Sequence, residues 1–297
     1  MSRSKISESS VLLPESAAEA LHEGVDTLHP LCAASGAPLD DIWEVEAAAP
    51  ARSCHGARYC RTLIVRTPRR EALIVMNPGE LTPALERDVR ALGPVAHVLC
   101  GNALHEGAAV EWAQAFGAIV HVAPRGAGSA LARGATYVLR ALDVIAPPTW
   151  EEVLEQTMSS GSSLMSEVIF FHIPSRTLIV ADLLQNLRPG GHTGAEHFTG
   201  AARCCIRACM SDETYGTSGD FVAPKHTRFH HSGDDIVALR ERISQWPFDR
   251  VAMAHGAVVE ARATAVLDEA FDNWIVECEN RSRCCARCWT CLAPCWL

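Results

Sequence analysis

The sequence predicts an α/β protein, and three observations predict it. Short apolar runs rich in β-branched residues alternate with stretches whose apolar side chains recur at helical spacing, as where residues 95–100 lead through GNALHEG into residues 108–116. Residues 167–186, EVIFFHIPSRTLIVADLLQN, hold two apolar runs at 168–171 and 177–181 around a Pro-Ser-Arg turn, the pattern of a buried hairpin. The second run ends on a carboxylate, Asp182, which predicts a side chain delivered to a sheet edge, where ligand sites collect.

Taken in order, residues 1–38 show no sustained periodicity beyond a short helical pattern around 15–22, and read as an N-terminal extension to a domain over 39–277. Runs at 42–45, 63–65 and 73–76 are predicted as strands of a meander. Pro83 as a first-turn residue, with Leu85, Val89 and Leu92 on one face, predicts a helix over 83–91 that Gly93-Pro94 stops. A strand at 95–100, a helix at 108–116 and a strand at 119–122 follow. One or two strands are expected within 138–146, and residues 150–157 fit either helix or strand. Beyond the hairpin, 187–235 reads as an irregular insert. Asp234 is the expected N-cap of a helix over 236–244, residues 251–253 a strand, and 261–275 a closing helix.

The 297 residues are 48% hydrophobic and 21% charged, enough for one substantial core. A net charge of -9 with no basic stripe argues against a nucleic-acid partner. No apolar stretch reaches the roughly 18 residues a transmembrane helix needs. Glu8, Glu15 and Glu19 stand where a targeting peptide would be apolar or poor in acids, so the expected location is cytoplasmic. Thirteen cysteines, an odd number, fit reduced thiols better than a disulfide framework.

Three polar residues occupy equivalent places, each just past a short apolar run: His105, Asp182 and His255. Imidazoles and carboxylates suit zinc, iron or manganese, and three strand ends that converge can leave a position for water. The competing reading gives each residue a capping or loop-holding role. His172 beside the turn reads as structural, and Glu167 as either a buried partner or a replacement ligand. His192, His197, His226, His230 and His231 lie in the insert, where exposed side chains are the simpler expectation.

GPVAHVLCGNALHEG, SEVIFFHIPSRTLIVADLLQN and WPFDRVAMAHG, in that order, resemble an uncharacterised branch of the metallo-β-lactamase-like superfamily over about residues 40–275. The resemblance implies a four-layer αββα sandwich with a site at one edge of its two sheets. It also implies a departure from the family's metal motif T-H-x-H-x-D-H, which falls here on Cys100, Gly101, Asn102, Ala103, Leu104, His105 and Glu106. His105 takes the place of the motif's Asp and Glu106 that of its third His. Ser162 stands where the G-H-T-P-G turn has its His. Asp182, the bridging carboxylate, and His255, the last ligand, match in kind.

The implied enzyme is a mononuclear metallo-hydrolase. One divalent ion is held by Asp182 and His255 with His105 or Glu106, and Asp182 and His105 take part in catalysis. Water on that ion attacks a small-molecule ester, thioester, lactone or phosphoester. The alternative is a binding or scaffold protein that has lost its metal. In the tail, 278–297, Cys285, Cys288, Cys291 and Cys295 have the C-x2-C-x2-C-x3-C spacing of iron-sulfur ferredoxins, with Trp296 in place of the usual Pro. Without a second cysteine set, an exposed appendage is the expected reading. Cys204, Cys205 and Cys209 read as small packing residues.

Overall fold

The computed structural model describes residues 26–32, 35–49, 59–68, 71–123, 139–141, 146–159, 166–186, 221–222 and 231–285. Among these, strands β1 (His29–Cys32), β2 (Pro38–Ala48), β3 (Tyr59–Arg66), β4 (Leu73–Met76), β5 (Val95–Cys100), β6 (Ile119–Val122) and β7 (Leu139–Ala141) form one sheet in that spatial order. It is antiparallel as far as β4 and parallel from β4 to β7. Parallel neighbours need crossovers, and helices α1 (Pro83–Leu92) and α2 (Ala109–Phe116) supply those from β4 to β5 and from β5 to β6.

The second sheet has the order β13 (Arg250–Ala252), β10 (Thr177–Ile179), β9 (Glu167–His172), β8 (Leu154–Ser159). Helices α3 (Gly233–Ile243) and α4 (Ala263–Cys285) cover it, and β11 (Gln185–Asn186) pairs with β12 (Phe221–Val222) beside it.

Strand alternation sorts the apolar side chains into three cores. Ile64, Val75 and Val98 face α1 and α2, packing on Leu85, Val89 and Trp112. Leu63, Val65, Ile74, Met76 and Leu99 face the other way, against Val168, Phe170, Ile179 and Ala252 of the second sheet. Ile169, Phe171 and Leu178 point out again, onto Leu239, Leu267, Phe271 and Trp274. Three cores between four layers make an αββα sandwich. Each fully buried Leu, Ile or Phe contributes about 1.5–3 kcal/mol, so the layers hold together by area and not by any single contact.

Local sequence explains most boundaries. Thr82 caps α1 by accepting the Leu85 N–H, with Pro83 inside the first turn and Gly93 ending it. The ambiguous stretch 150–157 resolves into a turn, in which Pro147 O accepts the N–H of Trp150 and Glu151, and then β8.

Two expectations are corrected. Ser232, not Asp234, caps α3: its hydroxyl accepts the Asp235 N–H while Asp235 accepts the Ser232 N–H, a reciprocal capping box. The closing helix runs to Cys285, ten residues past the expected end at 275, and its buried stripe of Leu267, Phe271 and Trp274 continues one turn beyond that expected end, to Cys278. Strand β1 lies within the stretch read as an extension, with Leu31 buried against Ile42 and Val65 in the central core. The helical pattern at 15–22, Ser162, most of the insert with His192, His197, His226, His230 and its cysteines, and Cys288, Cys291 and Cys295 lie outside the described residues.

Candidate metal centre

Three segments meet at one edge of the two sheets. β5 ends at Cys100, and Asn102 opens a 3-10 turn over Ala103–Glu106 by accepting the Leu104 N–H at 2.9 Å, which turns His105 inward. β10 is prolonged by Val180 N–H to Ala252 O at 3.0 Å, so Asp182 follows two residues later, still beside the β13 segment. β13 leads to His255, whose carbonyl accepts the Asn186 N–H.

The side chains of His105, Asp182 and His255 are all buried, and their ligand atoms lie within 4.8 Å of one another. His105 Nε2 is 3.1 Å from Asp182 Oδ2, and His255 Nε2 is 3.4 Å from Oδ1. The carboxylate is thus bracketed by two imidazoles, one at each oxygen. Burial works against a charged His105, but the neighbouring Asp182 carboxylate, with a smaller effect from Cys60, raises it to about 10. At neutral pH a proton on His105 therefore occupies the space where a cation would serve the same carboxylate.

Glu167 answers the open question about its role. Its Oε1 accepts the Ala181 N–H at 2.8 Å, and its Oε2 accepts those of Asp182 at 2.8 Å and Leu183 at 3.0 Å. Asn102 Nδ2 donates to Glu167 Oε2 at 2.8 Å and to Asp182 Oδ2 at 3.0 Å. Glu167 is thus a buried partner that fixes the Asp182 turn. Burial and the charge of Asp182 push it up to about 7, against the pull of the Ala181, Asn102 and Asp182 donors.

The His255 loop is tied to the first sheet by Arg61. Its Nη1 donates to the carbonyls of Met253 and Gly256, its backbone N–H to Ala254 O, and Glu44 and Glu46 pair with its other nitrogens at 2.7 and 3.0 Å. Gly256 adopts φ +101, and a Cβ there would overlap the Asn186 backbone, so only glycine fits.

Sequence reasoning named all three members of this group. Glu106, the fourth expected ligand, is buried on the same turn but is not among the ligand atoms that converge. His172, at the far end of the hairpin, bonds Ser175 at 2.6 Å, and burial lowers it to about 4, in keeping with a structural role. His231 is buried beside Trp274, rings 5.2 Å apart. Asn102, Cys60 and Arg61 went unpredicted. Asn102 carried a signal, an Asn between a strand end and a helical turn; Cys60 and Arg61 carried none, being over 40 residues from His105 in sequence.

No protein-family model and no curated protein sequence matches the chain. Solved structures do. A diflavin flavoprotein fragment from Nostoc sp. PCC 7120 superposes with TM-score 0.54 at 11% identity, over 86% of this chain and 98% of that one. The DIM-1 metallo-β-lactamase gives 0.51 at 9% identity, over 86% and 97%. The chain has a metallo-β-lactamase-like fold. The Flv1 flavodiiron core from Synechocystis sp. PCC6803 shares this fold, with TM-score 0.53 at 10% identity, over 84% of this chain and 61% of that one. At such identities the likeness is one of fold, and a fold hosts many chemistries. Among the described residues, His105, Asp182 and His255 are the group of donor side chains close enough together to be a candidate metal site. No described helix is long and apolar enough to cross a membrane.

Proposed function

We propose that the protein is a mononuclear metal-dependent hydrolase in which His105, Asp182 and His255 hold one divalent ion, zinc, iron or manganese. The observation that carries this reading is the convergence of two imidazoles and one carboxylate within 4.8 Å in a buried setting. The donor set fits: catalytic zinc takes three protein ligands of this kind and leaves a further position open. Such an ion supplies Lewis acidity and lowers the pKa of water to about 7.

The chain's own residues do the rest. Asp182 presents one oxygen to each imidazole; Glu167 and Asn102 hold its orientation; Arg61 holds the His255 loop. His105 would have to shed its ring proton to serve as a ligand, since only neutral imidazole ligates. An ester, thioester, lactone or phosphoester of a small molecule is the substrate class in this reading, and the cytoplasm its setting.

A second reading, a binding or scaffold protein with a closed His105-Asp182-His255 cluster, draws on the direct 3.1 Å pairing of His105 with Asp182. Elemental analysis of the full chain beside Asp182→Ala and His255→Ala separates the two. Near-stoichiometric metal that both substitutions abolish supports the hydrolase and directs an ester and phosphoester screen. Metal-free protein after reconstitution sinks it.

A further inference from the structure

Gln185 follows Asp182 by three residues, at the start of β11, and is 2% exposed. The residues before it, Leu183 and Leu184, are buried in the core under α3 and α4. A polar side chain in such a place needs hydrogen-bond partners. Gln185 has one: its Nε2 donates to Asp182 Oδ1 at 3.5 Å, the oxygen that His255 Nε2 faces at 3.4 Å. Among the described residues its Oε1 accepts no hydrogen bond. Three side-chain ends therefore surround the Asp182 carboxylate, His105 at 3.1 Å, His255 at 3.4 Å and Gln185 at 3.5 Å. Ligands about 2.1 Å from a tetrahedral ion lie about 3.4 Å from one another. The Gln185 amide thus stands at ligand spacing from Asp182, as the two imidazoles do.

We propose that Gln185 supplies its carbonyl oxygen as a fourth protein ligand to the ion held by His105, Asp182 and His255. The inference rests on the metal reading above and deepens it. Without an ion the carboxylate demands a donor, and the amide turns its N–H₂ to Oδ1; beside a cation the same side-chain end is needed as an acceptor. The two arrangements differ by a half-turn about the last side-chain torsion, which in Gln is broad and roughly two-fold, so the exchange leaves the backbone in place. A carbonyl oxygen is a hard donor and moves the preference of the site toward manganese. An ion with five or six positions still keeps one for water.

The test is a titration of metal-free, phosphine-reduced full-length protein with manganese(II) and, separately, zinc(II), against a competing chelating dye. The wild type is compared with Gln185→Leu, Gln185→Glu and Asp182→Ala. The expected result is one equivalent of bound ion that Asp182→Ala loses. Gln185→Leu binds that equivalent at least about tenfold more weakly, the least that losing a direct ligand costs if losing a supporting partner costs 10–100-fold. Gln185→Glu, with the same reach and a full charge, binds it more tightly than the wild type, while its metal-free form melts lower because two buried carboxylates then face each other. Asp182-dependent binding unchanged in Gln185→Leu overturns the assignment and leaves the three-ligand site standing. Weaker binding in Gln185→Leu without a gain in Gln185→Glu marks the side chain as packing and overturns the assignment as well. No Asp182-dependent binding of either ion by the wild type overturns the metal reading and this inference with it. Should a Gln185 variant fail to fold, a crystal structure of the wild type with zinc decides: Gln185 Oε1 about 2.0–2.2 Å from the ion supports the assignment, and Nε2 still turned to Asp182 overturns it.

Discussion

Glu167 Oε2 accepts the backbone N–H of Asp182 at 2.8 Å, so one buried carboxylate sets the direction of another. The same side chain takes the N–H groups on either side, Ala181 and Leu183, and therefore fixes the whole turn that presents Asp182. Glu167→Gln keeps the shape but puts an amide N–H₂ against a backbone N–H. Each buried donor left without an acceptor costs about 1–3 kcal/mol. The expected outcome is a lower urea midpoint by that amount and weaker metal retention, read by competition with a chelating dye. Unchanged metal affinity in a folded variant would show that the turn needs no such support.

In the proposed metal site, His105 and Asp182 would make metal binding depend on pH. With His105 raised to about 10 by Asp182 and Cys60 against the effect of burial, its ring carries a proton at pH 7.5. A ligating imidazole is neutral, so each ion that binds releases at least one proton. Apparent affinity then rises as pH increases from about 7 to about 10, where His105 loses its proton unaided. Calorimetry in two buffers of different ionisation enthalpy measures the release. In the metal-free protein Asp182→Asn, which removes the charge that holds the proton, lowers the His105 titration from about 10, read by NMR of its ring protons.

How much of this was legible beforehand follows from where each signal lives. The hairpin and the strand-helix alternation were readable because alternation and helical spacing are local, and the four layers then sort themselves by face: Ile64 to one core, Leu63 and Val65 to another. His105, Asp182 and His255 were readable because each ends an apolar run. Cys60 and Arg61 were not, since they reach the site only through the packing of β3 against a loop nearly 200 residues later. The end of α4 was missed for a different reason. A cysteine-rich composition hid that Cys278 is one more turn of a buried stripe.

His172 predicts acid sensitivity at the opposite end of the hairpin. Burial lowers it to about 4, with Asp41 opposing, from an ordinary 6.5. Above pH 6.5 the ring is neutral in both folded and unfolded chains, and the stability is fully present. As pH falls toward 4 the unfolded chain takes up a proton that the native ring refuses, so stability drops, by about 3 kcal/mol over the window at 1.36 kcal/mol per unit. Urea midpoints at pH 7, 5.5 and 4.5 follow the drop. In His172→Leu, which cannot titrate, the slope over this window flattens.

Gly256 is the most restrictive backbone position near the group. Its φ of +101 is unfavourable for any L side chain, and the Asn186 backbone fills the space a Cβ would take. Arg61 also bonds its carbonyl, so the loop cannot swing away without giving up that contact. Gly256→Ala must therefore either strain the backbone, at about 1–3 kcal/mol, or move His255, the residue before it. Thermal unfolding and metal stoichiometry distinguish these. A lowered melting temperature with metal retained means the strain is absorbed in place; a near-normal melting temperature with metal lost means the loop has moved and taken His255 from Asp182. A variant unchanged in both would contradict the close approach of Gly256 and Asn186.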